Sequence, residues 1–425
     1  MATIKAFRAL RYNQEKINLE KVIAPPYDVI SPDEQNNYYD KDPKNIIRLI
    51  LAREEDRYSA SKKYFQDWQL DQSLVRETDE AIYPLEQSFI SNDGTVVNRK
   101  GFIALIKIEE FEKGIVLPHE KTLSKAKEDR LKLLRTTEAN FSQIFGLFSD
   151  AEGLVQKEIQ KELTEKPICD VEFQEVKNKI WKITNKNIID SIVKIMSSKQ
   201  ILIADGHHRY ETALNYRNEK RKEIINFTGN ESFNFVLMFF TNLNDDGLVI
   251  YPTHRAVHSI ENFNWQKIKS ILQNDFDIID CKSKQEMTKI LQNFDSFSYG
   301  VIESNPAKFS VLHLKNSEKI KTLLSKSLPN EIKNLDVVLL HEYILRDLIG
   351  ISDEAQAKKL NINYLQKIAD CVTEVENKKV NIAFIVNSTK INQVRQVAES
   401  GNIMPQKSTF FYPKLISGFI MNKLD

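Results

Sequence analysis

The chain of 425 residues contains only three cysteines, Cys169, Cys281 and Cys371, and no Cys-x-x-Cys pair. Thiols scattered in this way exclude a disulfide framework and a cysteine-rich zinc site, and they fit a reducing compartment. Long hydrophobic runs are missing too. No stretch approaches the roughly 20 apolar residues of a membrane span, so no membrane partner is expected. Met1 to Leu10 holds no apolar run of signal-peptide length, and the expectation is a cytoplasmic protein. Neither sign of charge dominates: 60 Lys and Arg face 59 Asp and Glu, for a net charge of +1. That balance gives no electrostatic case for nucleic acid. Internal repeats, low-complexity linkers and a Gly-rich Walker-type loop are also absent from the sequence. A nucleotide, if one binds, needs a different cradle.

What is present is ordinary in bulk, 41% apolar and 28% charged, and long enough for two or three domains. The chain is organised around Ile201-Leu202-Ile203-Ala204-Asp205-Gly206-His207-His208-Arg209. An apolar strand runs into a polar cluster, and a helix is expected to follow. Gly206 supplies the permissive dihedrals of a sharp turn. The first helical turn offers unpaired N–H groups and the positive end of its dipole, a seat for phosphate. His207, His208 and Arg209 add donors there. Asp205, at the strand end, is placed to hold a divalent cation such as Mg²⁺ or to orient a histidine. The structural alternative is a turn whose imidazoles are satisfied internally.

Other segments read as scaffold with punctuated polar loops. Ile46–Leu51 reads as a short strand, and residues 57–70 as a helix whose Tyr58, Phe65 and Trp68 face the core. The loop Ala24-Pro25-Pro26-Tyr27-Asp28 is stiffened by paired prolines, with Tyr27 either a lid on the core or facing a ligand. Ile82–Ile90 and Gly101–Ile108 flank Asn92-Asp93-Gly94, a hairpin signal. Leu117-Pro118-His119-Glu120 precedes a basic helix over 124–137 carrying Lys125, Lys127, Arg130 and Arg135, either a solvated face or a phosphate-facing one. Glu120 lies in a loop rather than on a solvated helix face, which makes it the best candidate for a general base. Pro252-Thr253-His254-Arg255 is read as ending the strand Val249-Ile250-Tyr251 in polar side chains. His254 and His258 stand four apart, the spacing of a metal pair on a helix, but no third ligand is in register. From about residue 263, helices and strands alternate, including a helix over 316–325 and a longer one with His341-Glu342, read as structural. Met404-Pro405-Gln406-Lys407-Ser408-Thr409 reads as an anion clasp or as ordinary turn residues before an aromatic strand.

The order strand, Asp205-Gly206-His207-His208-Arg209, helix resembles the signature of the ParB/sulfiredoxin superfamily, most closely its free-serine kinase branch. Pro25-Pro26-Tyr27-Asp28-Val29, Leu117-Pro118-His119-Glu120, Pro252-Thr253-His254-Arg255 and Pro405-Gln406-Lys407-Ser408-Thr409 resemble a family known only as a domain of unknown function, DUF1015. The resemblance covers nearly the whole chain. It implies an α/β (α+β) fold: an extension over 1–80, a ParB/sulfiredoxin-like nucleotide-binding domain over 81–262, and a second α/β domain over 263–425 whose last segment returns to the active-site cleft. It implies a kinase using ATP or ADP, with Mg²⁺ a candidate cofactor at Asp205, a small-molecule hydroxyl acceptor, and free L-serine the first acceptor to test. Glu120 takes the acceptor's proton by this resemblance, with His119, Asp205 and His208 as the other catalytic candidates. Gly206, His207, His208, Arg209, Lys127 and Arg130 are expected at the phosphates. Tyr27, Asp28, His254, Arg255, Lys407, Ser408 and Thr409 are expected at the acceptor, with Glu120 and Lys407–Thr409 bordering the same cleft as His208. Sulfiredoxin chemistry is excluded, because His207 stands where those members carry cysteine. A ParB-like nucleotide switch with a macromolecular partner and a phosphate-ester hydrolase remain the alternatives, although no helix-turn-helix reader is visible. The chain departs from the kinases where Phe410 and Phe411 follow Thr409 in place of Arg-His, and in the longer separation of Glu120 from Asp205.

Overall fold

The computed structural model describes residues 1–120, 124–163, 166–304 and 306–425, without the side chains of 124–126. Lys121, Thr122 and the Lys125 side chain of the expected basic face therefore lie outside the described residues. The protein is mixed α/β and divides into two units. One comprises Met1–Pro118, Thr122–Val249 and Pro413–Asp425; the other comprises His119–Lys121 and Ile250–Tyr412. The sequence places a boundary at 262/263, whereas this division falls at 249/250.

The first unit is built on a nine-stranded mixed sheet. In chain order its strands are β1 (Ile4–Lys5), β2 (Tyr83–Ile90), β3 (Val96–Lys107), β4 (Val116–Leu117), β5 (Ile144–Phe148), β6 (Cys169–Phe173), β7 (Val176–Ile180), β8 (Ile201–Asp205) and β9 (Phe235–Asn242). They lie in the order β4-β8-β5-β9-β3-β2-β7-β6, with β1 on β3. Asn92-Asp93-Gly94 turns β2 into β3, as its residue types demand. The central strands are apolar on both faces, and Ile144, Ile201, Ile203, Met238 and Phe240 enter one core with Ile188, Ile192 and Met196. Those last three form one face of α3 (Lys186–Met196), which Asn185 caps by accepting from the Asn187 N–H.

Two further helices flank the phosphate-loop candidate. α2 (Ser124–Thr137) packs along α4 (His207–Glu223), where Lys127 meets Glu211 at 2.6 Å and Arg135 meets Glu219 at 2.8 Å. α1 (Arg57–Leu70) buries Phe65 and Trp68, while Tyr58 donates to Asp129 at 2.8 Å. Ile46–Leu51 is a correction: Ile47–Ile50 is a helical turn, not a strand. A short apolar run does not discriminate between the two. What decides is Asn45, which accepts from the Ile47 N–H at 3.0 Å and starts the turn.

The second unit holds an antiparallel six-stranded sheet of β10 (His254–Val257), β11 (Phe276–Cys281), β12 (Ser298–Glu303), β13 (Lys308–Leu314), β14 (Ile362–Leu365) and β15 (Ile382–Val386). The strand order is β11-β13-β12-β15-β10-β14. Ala256, Val311, Ala383, Ile385, Met287 and Cys371 meet in its core. Two expectations are corrected here. His254 and Arg255 do not close the preceding strand; they open β10, because Pro252 has no N–H to continue a ladder. His254 and His258 consequently flank a strand rather than a helical turn. The helix expected over 316–325 is shorter, a 3₁₀ turn at Ser317–Lys319 followed by Ile320–Leu323. The long apolar helix contains a π-helical stretch, Leu340–Leu348, that buries His341.

Candidate functional site

In the first unit, β8 delivers Asp205 to the sheet's end, and its register against β5 shifts between Ile203 and Asp205. Such an irregularity bends a strand and re-aims its last side chains. Gly206 then adopts φ +92° and ψ 26° as the N-cap, and α4 begins at His207. A side chain at 206 would be strained by that φ, and its Cβ would approach the Arg209 guanidinium to 3.0 Å. The turn is therefore tight because Arg209 folds back over it. Arg209 Nη2 donates to Asp205 Oδ2 at 2.7 Å, and Nη1 donates to the Gln143 carbonyl. The other carboxylate oxygen, Oδ1, accepts from Lys414 Nζ at 2.6 Å. His207 is buried and His208 half-buried.

Around this turn the structure gathers several of the expected residues. Tyr27, Arg130 and Arg209 line one cavity of about 70 Å³ together with Ser142 and Thr212. The Arg130 guanidinium lies 4.1 Å from the Tyr27 ring centroid, donates to the Ile50 carbonyl at 2.7 Å and pairs with Asp129. Burial, aided by Asp28, pushes the Tyr27 phenol up to about 12, so it stays a neutral donor at physiological pH. Asp28 is exposed. Lys127 is held by Glu211, one turn beyond the polar cluster.

The remaining expected residues belong to the second unit. Glu120 Oε1 accepts from the Lys407 N–H at 2.6 Å, and Met404 N–H donates to the His119 carbonyl at 2.8 Å. His119 is fully buried, with Nε2 3.0 Å from Thr409 Oγ1. Ser408 donates to the Pro405 carbonyl at 2.6 Å, and its own carbonyl accepts from Thr389 at 2.7 Å. Lys407 sits at φ +59°, an uncommon conformation for a lysine, held from both sides of its backbone. The second hold is Arg255, whose Nη2 donates to the Lys407 carbonyl at 3.1 Å. Arg255 is fully buried, donates through Nε to His341 Nε2 at 3.1 Å, and its pKa falls to about 10 through burial. His254 accepts from the Val386 N–H at 3.3 Å, and burial lowers its pKa to about 4. The structure thus brings Glu120, His119, Arg255 and Lys407–Thr409 into one network. Asp205, His208 and Arg209 belong to the other unit.

A profile for a protein family of unknown function, DUF1015, matches residues 4–338. The chain belongs to that family. No curated protein sequence matches it. Among solved structures, it is similar to a conserved hypothetical protein from Pyrococcus furiosus at 14% identity, covering 76% of this chain and 95% of that one, with a TM-score of 0.37. A free serine kinase in complex with AMP is similar at 11% identity, over 75% of this chain and 91% of that chain, with a TM-score of 0.36. C-terminally truncated SbnI from Staphylococcus aureus follows at 9% identity, 76% and 82% coverage, and a TM-score of 0.35.

Two charged residues at the phosphate-loop candidate were not singled out from the sequence. Lys414 follows the aromatic strand and Pro413, and its partner is 209 residues away. Arg99 is fully buried in β3, donates to the Pro413 carbonyl at 2.6 Å, and lies with its guanidinium 4.7 Å from the Phe145 ring centroid. Burial lowers its pKa to about 9, against the opposing pull of Asp245 and Asp205. No local signal marked it, because Arg99 stands between Asn98 and Lys100 in a polar run that reads as solvent-facing, whereas a buried arginine needs partners. Mg²⁺ does not fit Asp205 as arranged, because each carboxylate oxygen accepts a cationic side chain. Among the described residues, no three His, Cys, Asp or Glu side chains gather as a metal site. No helix among them is long and apolar enough to cross a membrane.

Proposed function

We propose that this DUF1015 protein is a nucleotide-dependent small-molecule kinase, transferring a phosphoryl group to a hydroxyl acceptor, with free L-serine the first candidate. The observation that carries the reading is the end of β8. A left-handed Gly206 opens a helix of 17 residues beside Arg209 and Lys414. The positive end of a helix dipole and two cations at one point are suited to a phosphate. Free serine as acceptor rests on the resemblance of Asp205–Arg209, His119–Glu120 and Lys407–Thr409 to the motifs of free-serine kinases.

In this reading the acceptor oxygen forms a bond to the terminal phosphorus of ATP or ADP. The bridging P–O bond breaks, the nucleotide leaves one phosphate shorter, and the hydroxyl proton passes to Glu120. The Lys407 N–H fixes the orientation of that carboxylate. Phosphoryl transfer asks the protein chiefly for positioning and charge stabilisation. Incubation of the protein with ATP or ADP and a pool of hydroxylated metabolites that includes L-serine, read by mass spectrometry, tests the proposal. Phosphorylated acceptor accumulating in step with the shortened nucleotide is expected. Inorganic phosphate released with no phosphorylated acceptor would instead make the protein a hydrolase or a switch.

A further inference from the structure

We infer that Lys414 is the built-in cation of the phosphate loop, standing where a divalent ion would need the Asp205 carboxylate, so that phosphate binding at this loop needs no metal held by Asp205. The inference rests on the kinase reading only for the identity of the phosphate ligand.

The first argument is geometric. Asp205 Oδ1 accepts from Lys414 Nζ at 2.6 Å and Oδ2 accepts from Arg209 Nη2 at 2.7 Å. A hard divalent cation takes carboxylate oxygens directly, and both oxygens here already face a cationic donor. The second argument is anchorage. The Lys414 side chain is only 16% exposed, and the segment that carries it is bound into its unit along its whole length. Arg99 donates to the Pro413 carbonyl, Ser142 meets Ser417 at 2.6 Å, Gln143 donates to the Ile420 carbonyl at 3.0 Å, and Asn422–Lys423 pairs with Ala139–Asn140. Lys414 is a placed group rather than a surface lysine that has found a carboxylate. The third argument is charge. Two cations, Arg209 and Lys414, face the one carboxylate of Asp205. Two positive charges on one negative favour an anion and oppose a further divalent cation.

The test uses the full-length protein, the variants Lys414→Met, Lys414→Arg and Asp205→Asn, and two readouts. Calorimetry with ADP in EDTA should show saturable binding to the parent, weakened roughly ten- to a hundredfold in Lys414→Met, as for a lost charge-assisted contact. Lys414→Arg should restore most of it, and near-identical circular dichroism would show that the variants fold. Paramagnetic resonance with Mn²⁺ alone should show no Asp205-dependent site in the parent. A saturable Mn²⁺ site in the parent that Asp205→Asn abolishes would overturn the inference, as would Lys414→Met binding ADP in EDTA as tightly as the parent. If ADP binds no form of the protein, with or without Mg²⁺, the kinase reading fails, and an Asp205-dependent Mn²⁺ site in the parent still decides the metal question.

Discussion

Acid should loosen the second unit from about pH 6.5 downward, because two of its histidines are buried as hydrogen-bond acceptors. His254 accepts from the Val386 N–H and His341 Nε2 accepts from the Arg255 guanidinium. A proton on either nitrogen would set donor against donor in a dry site already holding Arg255. Burial accordingly lowers their pKa values from 6.5, to about 4 for His254 and to about 3 for His341. The unfolded chain binds these protons first as pH falls, so stability is lost from about pH 6.5 downward. Asp336 works the other way. Burial raises it from 3.8 to about 6, so the native unit keeps that proton across a range in which the unfolded chain has lost it. At about 1.4 kcal/mol per proton per pH unit, the histidines together cost about 5 to 6 kcal/mol between pH 6.5 and 4, and Asp336 returns about 2. A net loss of about 3 kcal/mol is a large share of ordinary domain stability. Trp265 lies buried in this unit, against Phe384, so urea unfolding followed by its fluorescence, with Trp68 and Trp181 replaced by phenylalanine, reads the effect. The midpoint should fall from pH 6.5 to 4. His341→Gln should remove most of that slope, and Asp336→Asn should steepen it below pH 6. A midpoint constant over this range, or a slope indifferent to His341→Gln, would refute the reasoning.

Three further outcomes concern the candidate site. Arg209→Ala should weaken ADP or ATP binding roughly tenfold or more in calorimetry, since it removes a guanidinium from the helix N-terminus; unchanged binding would place the phosphate cradle elsewhere. Glu120→Gln should bind nucleotide nearly as the parent does and lose roughly 10²–10⁴-fold in transfer rate in a coupled assay. Gly206→Ala should lower the thermal midpoint, because a side chain at φ +92° costs about 1–3 kcal/mol. It should also weaken nucleotide binding by displacing Arg209, and a variant indistinguishable from the parent in both would remove the case for the tight turn.

Much of this arrangement was legible because it is local. A strand ending in Asp-Gly followed by polar residues and a helical period reads as strand, turn and helix, and β8, Gly206 and α4 follow it. The hairpin at Asn92-Asp93-Gly94 is legible for the same reason. Errors arose where local signals are degenerate. Ile46–Leu51 lacks the length to separate strand from helix, and the decision lay with one side chain, Asn45, ahead of the turn. Pro252 punctuates the chain without saying on which side of it the polar residues belong.

The partners of charged side chains were the least legible part, because pairing across hundreds of residues leaves no trace in a local window. Sequence alone assigns Asp205 to a metal or a histidine, since an isolated carboxylate at a strand end asks for a counter-charge and these are its nearest neighbours in the chain. The counter-charges it has come from one turn along α4 and from residue 414. Glu120 shows the same logic in the second unit. Its carboxylate accepts from the backbone N–H of Lys407, 287 residues on, and the Lys407 carbonyl is in turn held by Arg255. A substitution at Arg255 should therefore act on Glu120 through this peptide group as well as through the direct attraction of the two charges. Arg255→Met would leave the Lys407 carbonyl without that donor and the residue free to relax from φ +59°. The carboxylate would lose its fixed orientation while remaining present. A transfer rate that falls in Arg255→Met by nearly as much as in Glu120→Gln, with nucleotide affinity unchanged, is the expected signature of that positioning. Full activity in Arg255→Met would show that the orientation of Glu120 does not depend on this peptide.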